Sequence, residues 1–459
     1  MEVIKVLNEL LDQFNGYIRV VDQLYCLNTN DTNDVYNEIE EVLINKYKIS
    51  VSTILRMINM ACSNNQRYTR GYWNIFQKLK SKFNPKLQKH YFSGRIEALA
   101  SKVYNMNWRL KFNNYRDEEP EEILEVHKSE TVFYSIMNDD VRILSALANS
   151  ETFNLDEKLE GRSLLEWCAY YGSEDCFKFF ISNFGVKITK KCQNLGFTSR
   201  NSSIIKECLK AFKPDDDTMK SAIESHNVDF VMFLKNNFDL KINIYQCSVY
   251  HNLHVFLINM LDCKEYNQSL VHSPRFDLPG LVTYILTLDG IDVNSFDEKE
   301  KNQTALHNAA RWNCYEIADI LVKNGANVEQ RDSYGNTSLH IAATFDNAKP
   351  ALTLIKNGAD INTNDFCKYT PLHLASKSNN IETVKVLIEN GANLESLNEN
   401  GFTPLQIAAM SNCSEIEKIL IDNGAVNTVK KLQENSKKEI RRIPVEMRRC
   451  YFKNIVQNK

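Results

Sequence analysis

The chain has 459 residues, of which 43% are apolar and 25% charged, and its net charge is −3. These are ordinary values for a globular protein, and the absence of any run of 18 or more uncharged apolar residues argues against a membrane-spanning helix. The start, Met1-Glu2-Val3-Ile4-Lys5, is followed by Glu9 and Asp12 where a secretory signal needs a basic head and an apolar run, so a cytoplasmic location is expected, with the nucleus as the alternative. The twelve cysteines, from Cys26 to Cys450, include no C-x-x-C pair and read as buried thiols of a reducing compartment rather than as a disulfide framework.

Residues 1–125 are predicted to form an all-α region. Val3, Val6, Leu7, Leu10, Leu11 and Phe14 recur at spacings of three and four, as do Val35, Ile39, Val42, Leu43 and Tyr47, which is the pattern of helices that bury one face. Polar breaks at Asn28-Thr29-Asn30-Asp31 and Asn64-Asn65-Gln66 separate them. The segment Arg116-Asp117-Glu118-Glu119-Pro120 is the expected break before the next body.

Residues 126–270 are predicted to be degenerate helix pairs. The apolar residue that ends each second helix can be traced through Phe180, Leu209, Leu234, Leu257, Leu286, Leu321, Leu354, Leu387 and Leu420, at steps of 29, 25, 23, 29, 35, 33, 33 and 33. Two short helices and two turns fit the early units, but a projecting finger does not. Fingers are therefore expected only after Asp292, with the earlier pairs blunted.

Residues 271–427 hold a transition unit and then one phrase written four times. Thr304-Ala305-Leu306-His307, Thr337-Ser338-Leu339-His340, Thr370-Pro371-Leu372-His373 and Thr403-Pro404-Leu405-Gln406 stand 33 residues apart, and Asn-Gly-Ala closes each unit at Gly325, Gly358, Gly391 and Gly424. A strict period of this length signals a stacked repeat array whose units cannot bury their apolar faces alone. Each Thr is placed to cap a first helix, Pro371 and Pro404 fit the first helical position, and each Gly ends a second helix where a left-handed residue is needed.

The periodic histidines His307, His340 and His373 could suggest metal chemistry. Adjacent units stand about 10 Å apart, whereas zinc needs nitrogens at roughly 2 Å, so a structural, hydrogen-bonding role is expected. Cys247, His251, His254 and Cys263 could complete a tetrahedral site if the first three share a helix face, but they lie in a degenerate unit and lack short ligand knuckles; no metal and no cofactor are expected. Asp215-Asp216-Asp217 reads as the cap of a helix beginning near Met219. No glycine-rich phosphate loop, H-E-x-x-H or G-x-S-x-G occurs, so catalysis has no visible carrier.

Residues that vary between units point to function. Fingers and first-helix ends of such arrays line one concave side, and here they carry Arg311, Trp312, Tyr334, Asn336, Phe345, Phe366, Tyr369, Lys377, Phe402 and Met410. Aromatics mixed with amides and cations resemble a protein-binding surface. The stretch 428–459 is a basic tail; from Asn427 onward it carries ten Lys/Arg against three Glu, hence +7, and Glu434–Arg442 could form a last capping helix before Pro444.

The four regular units resemble ankyrin repeats. Asn302 and Lys368 depart from the turn glycine that Gly335 and Gly401 provide, and Asn313, Asp346, Asn379 and Asn412 stand where a glycine is usual between the helices. Upstream, Ser163-Leu164-Leu165-Glu166 with Asp175-Cys176-Phe177-Lys178, Glu207-Cys208-Leu209 with Lys213-Pro214-Asp215-Asp216, and Ser225-His226-Asn227-Val228-Asp229-Phe230 resemble ankyrin proteins of parasitic protists that carry an N-terminal domain of unknown function. The expectation is an all-α, ankyrin-repeat α-solenoid with short β-turn fingers, preceded by degenerate repeats and an N-terminal helical region. The variable aromatic surface and the lack of a catalytic motif point to a non-catalytic scaffold or adaptor for a protein partner, with no small-molecule substrate. The upstream family itself has no established activity, so the resemblance informs the fold more than the function. Two alternatives stay open: a targeting subunit making nucleic-acid or nuclear-import contacts through the tail, and an enzyme with an unrecognised N-terminal site.

Overall fold

A computed structural model describes residues 2–88, 92–106, 115 and 118–426. The basic tail and its expected capping helix lie outside the described residues, as do Arg116 and Asp117 of the expected break. The architecture is all-α, and the strands among the described residues are two-residue hairpins. No helix among them is long and apolar enough to cross a membrane. The chain divides into two compact units, Met1–Leu278 and Pro279–Lys459.

The first unit opens with helix Glu2–Tyr25, whose buried stripe is Leu10, Phe14, Tyr17, Val20, Val21 and Leu24. The spacing of three and four seen in the sequence therefore continues past Phe14 to the end of the helix. Helix Asn33–Glu38 runs into a π-helix, Ile39–Lys46, which buries Ile39 and Leu43. Its wider turn lets the Tyr47 N–H reach the Val42 carbonyl at 3.0 Å, and the Tyr47 hydroxyl donates to the Gln13 carbonyl at 2.8 Å. Val51–Asn64 is capped by Ser50, and Thr69–Phe83 and Gly94–Val103 follow.

From Val132 the same unit becomes a series of helix pairs with a left-handed residue at each corner: Asp139, Gly172, Arg200, His226 and His251, with φ between 54° and 69°. Several side chains tie one pair to the next. Asp139 accepts the Cys176 N–H, the Asn201 amide donates to the Gly172 carbonyl, Arg200 donates to the Ser225 carbonyl and the Asn252 amide to the Ile223 carbonyl. The step between corners falls from 33 residues (Asp139 to Gly172) to 25 (His226 to His251). One expectation is corrected here. A finger does precede Asp292: Lys158–Leu159 pairs antiparallel with Arg162–Ser163, turning at Glu160 and Gly161, both at positive φ. The 33-residue step leaves room for it, and the shorter steps that follow do not.

The N-terminal helices lie against these corners. Asp22 Oδ1 is 2.7 Å from His226 Nδ1, and the Tyr25 ring stacks on His226 at 4.1 Å between centroids. Asp277, left-handed like the other corners, accepts both the Ser50 N–H and the Thr53 hydroxyl at 3.0 Å. Tyr170 donates to the Ser63 carbonyl and accepts the Gln66 N–H, while Arg67 reaches the Tyr171 carbonyl. Polar groups that a buried backbone would otherwise strand are thus paired across the contact.

The second unit has helix Pro279–Leu286, a finger formed by Phe296–Asp297 and Gln303–Thr304, and four pairs: Ala305–Arg311 with Tyr315–Lys323, Ser338–Thr344 with Ala348–Lys356, Pro371–Lys377 with Ile381–Glu389, and Pro404–Met410 with Ser414–Asp422. Their corners are Asn313, Asp346, Asn379 and Asn412, all left-handed at φ 56–64°. Asn and Asp tolerate that conformation best among residues with a side chain. Leu306, Leu339, Leu372 and Leu405 are buried, each contributing about 1.5–3 kcal/mol of transfer free energy. The paired small residues, such as Ala309-Ala310 and Ala342-Ala343, let neighbouring helices close up.

Candidate protein-binding surface

Each opening Thr forms a reciprocal cap with the residue three positions on. Thr304 Oγ1 accepts the His307 N–H at 3.4 Å while its own N–H donates to His307 Nδ1 at 3.3 Å. Because Nδ1 accepts, the proton sits on Nε2. That nitrogen donates forward to the next finger: His307 to the Asn336 carbonyl at 3.0 Å, His340 to Tyr369 at 2.9 Å and His373 to Phe402 at 2.9 Å. The neutral ring is what the site requires, and burial pushes His340 down to about 4, with His307 and His373 also lowered. Gln406 reproduces the first half of the arrangement, its Oε1 accepting the Thr403 N–H at 3.0 Å.

A second periodic device shapes the fingers. Asp332 Oδ1 accepts the N–H groups of Tyr334 and Asn336, Asp365 those of Cys367 and Tyr369, and Asn398 those of Asn400 and Phe402, all between 2.7 and 3.0 Å. These side chains hold the turn from inside. Successive fingers are then joined by backbone: the Ser333 N–H donates to the Lys301 carbonyl at 2.8 Å, Phe366 to Tyr334 at 3.2 Å and Glu399 to Cys367 at 3.1 Å. The fingers form one braced edge instead of four independent loops. Sequence reasoning missed this, although Asp332, Asp365 and Asn398 recur at the 33-residue step and were open to view.

The candidate residues do not all occupy that surface in the same way. Phe366 is 67% exposed at its fingertip and Met410 is 45% exposed at the end of its helix. Arg311, Trp312, Tyr334, Phe345, Lys377 and Phe402 are half-buried. Trp312 and Phe345 are the C-caps of the helices Ala305–Arg311 and Ser338–Thr344. Tyr369 is only 7% exposed: its ring packs against His373, with the Lys377 ammonium over it at 5.5 Å, so it supports the surface from beneath. Asn336 turns its amide back onto Asp332. Arg311 lies over the Phe345 ring at 4.7 Å, and Lys301, which the sequence did not single out, lies over Tyr334 at 5.3 Å.

The cysteine–histidine set resolves differently from its sequence spacing. Cys247 lies on Ile244–Val249 and His254 on Leu253–Cys263, with His251 at the left-handed corner between them, so the first three do not share one helix face. The sharp corner breaks the spacing of four and three. His251 is buried, with the Phe276 ring edge-on to it. Cys247 is buried, burial holding its thiol far above the ordinary range, whereas Cys263 is exposed. Asp215 caps the helix Asp216–Glu224, its Oδ1 accepting the Thr218 N–H.

Comparison with known families agrees with this geometry. The family model "Ankyrin repeats (3 copies)" matches residues 275–365 and 362–431, and "Domain of unknown function (DUF3447)" matches residues 184–259. Among curated proteins, a glycerophosphocholine phosphodiesterase, GDE1, of Eremothecium gossypii is 39% identical over 61 residues, a stretch that covers 13% of this chain and 4% of that protein. A match of that extent does not carry the relative's activity across. The chain is an ankyrin-repeat protein that also carries a DUF3447 domain of unknown function.

Proposed function

We propose that the chain is a non-catalytic scaffold or adaptor that binds a partner protein on the fingers and first-helix ends of its second unit. The observation that carries this reading is the braced finger edge, in which backbone hydrogen bonds and histidine bridges fix the fingers beneath the exposed ring of Phe366. A preformed surface loses little conformational entropy on association, so aromatic side chains held on it are efficient anchors. Arg311, Trp312, Tyr334, Phe345, Phe366 and Met410 are the contact residues of this proposal, with Tyr369 as support.

Proximity labelling in the native cell tests it. Wild type is compared with a full-length variant carrying Trp312→Ala, Tyr334→Ala, Phe345→Ala and Phe366→Ala. Loss of a defined set of labelled proteins is expected; an unchanged set in a folded variant rejects the reading.

A further inference from the structure

The charges along the finger edge are arranged unequally. The carboxylates are turned inward: Asp332 serves the backbone N–H groups of its own turn and also the Gln303 and Asn336 amides, and Asp365 serves Cys367 and Tyr369. Three cations lie over rings, Lys301 on Tyr334, Arg311 on Phe345 and Lys377 on Tyr369, while Lys299 and Lys368 are exposed at fingertips. Glu298, Glu300 and Glu399 are the acids left at fingertips, two in the first finger and one in the last. Between them runs a strip in which cation and aromatic ring alternate.

Burial pushes the ammonium groups of Lys301 and Lys377 down, with Arg311 adding to the effect on Lys301, and the nearby carboxylates of Asp332, Glu300 and Asp365 only partly offset it. A carboxylate brought beside them would restore the stabilisation that lost water no longer supplies. The strip also has a length. Lys301 and Arg311 belong to the first regular unit and Lys377 to the third, about 20 Å away at roughly 10 Å per unit, which an extended chain covers in about six residues.

Resting on the protein-binding reading above, we propose that the partner enters this strip as an extended acidic segment, with carboxylates about six residues apart at Lys301–Arg311 and at Lys377, and with apolar side chains between them over Tyr334 and Phe345.

The test uses the full chain and a fluorescein-labelled octapeptide that carries Glu pairs at both ends, about six residues apart, and Leu and Trp between them. Its control has every Glu replaced by Lys. Fluorescence anisotropy is expected to show the acidic peptide binding at least about tenfold more tightly than the control, and more weakly as salt rises. Lys301→Glu with Lys377→Glu is expected to weaken it by about tenfold or more. Lys437→Gln, Lys438→Gln, Arg441→Gln and Arg442→Gln, made together, are expected to leave it unchanged. Should the charge reversal lower the melting temperature, Lys301→Gln with Lys377→Gln gives the same readout without introducing repulsion.

The proposal is overturned if both peptides bind alike or not at all, if the tail substitutions abolish binding while the finger substitutions do not, or if an unlabelled oligonucleotide displaces the peptide more effectively than unlabelled peptide does. Failure here with a partner set that still depends on Trp312, Tyr334, Phe345 and Phe366 leaves protein binding standing and removes only the acidic segment. Failure of both rejects the whole reading.

Discussion

His340 Nε2 lies 2.9 Å from the carbonyl oxygen of Tyr369, so a ring that caps one unit also holds the finger of the next. The bond needs a neutral imidazole that accepts at Nδ1 and donates at Nε2. Burial holds this histidine at about 4, below its ordinary 6.5. In the intervening range the unfolded chain binds a proton that the folded chain refuses. Stability from this histidine is therefore fully present above about pH 6.5 and falls by about 1.4 kcal/mol per pH unit down to about pH 4. Asp365, which burial raises to about 6, acts in the opposite sense, since its folded form takes up a proton first and gains as pH falls below that value. His127, His251 and His254 are lowered by burial as well, and Glu224, like Asp365, is raised by it, to about 7. With six lowered histidines against two raised carboxylates among the described residues, urea unfolding from about pH 7 to about pH 4.5 is expected to show net loss. His340→Gln, which copies the residue that Gln406 places at the same position of the fourth unit, should lessen the slope, and an unchanged slope would show that His340 is not one of its sources.

The finger turn gives a graded series at one structural position. Gly335 and Gly401 adopt φ of +81° and +74°, while Lys368 holds φ +57° with a full side chain. A Cβ on Gly335 would meet the Phe366 ring at 2.5 Å, whereas nothing lies within 4 Å at Gly401. Gly401→Ala should cost about 1 kcal/mol of left-handed strain, and Gly335→Ala about 2–3 kcal/mol because the neighbouring ring and backbone must also move. Lys368→Gly should be neutral or stabilising by up to about 1 kcal/mol. Chemical denaturation of the three variants checks the order; equal costs for both alanine substitutions would contradict the close approach of Phe366.

Asp22 joins the first helix to the corner at His226, where the ring also bonds the Tyr250 carbonyl at 2.8 Å and stacks under Tyr25. Asp22→Ala leaves a buried ring nitrogen without its partner, at a cost of about 1–3 kcal/mol. Hydrogen exchange should speed up in Glu2–Tyr25 and around Ser225–Asn227, and not in Pro371–Lys377. An effect spread evenly over the chain would argue against a local latch.

Thiol reactivity should follow burial. Cys263 is exposed, Cys26 and Cys367 are half-buried, and Cys168 and Cys247 are fully enclosed, with burial holding their thiols far above the ordinary range. Among the described cysteines, iodoacetamide on the native protein should label Cys263 first and reach Cys168 and Cys247 only on unfolding. Early labelling of Cys247, read by mass spectrometry of peptides, would show that its corner opens.

Much of this was legible because the regular units use identity as well as pattern. Thr at the cap, Pro at the first helical position and Gly after the second helix each answer a backbone requirement that few residues meet, so they can be read directly. The corner was not legible in the first unit. Its requirement is only a left-handed residue followed by a helix start, and Asp139, Gly172, Arg200, His226 and His251 all satisfy it with different chemistry. For the same reason His251 and His254 passed for neighbours on one helix face. Tyr369 was misjudged as a surface residue because its burial depends on Lys377 and His373 in the following helix, which turn-level reading does not see. The π-helix at Ile39–Lys46 has no sequence mark that separates it from an ordinary amphipathic turn.

The hairpin at Glu160–Gly161 has a practical meaning. It shows that extra residues in this chain are taken up at the loop and not at the bend between helices, whose geometry stays the same in the units that lack a hairpin. An engineer wishing to graft a longer recognition loop would therefore cut at the tip of this hairpin, between Glu160 and Gly161. The helices behind such an insert would keep their present spacing, making the fold a modular display in which loop length is a free variable.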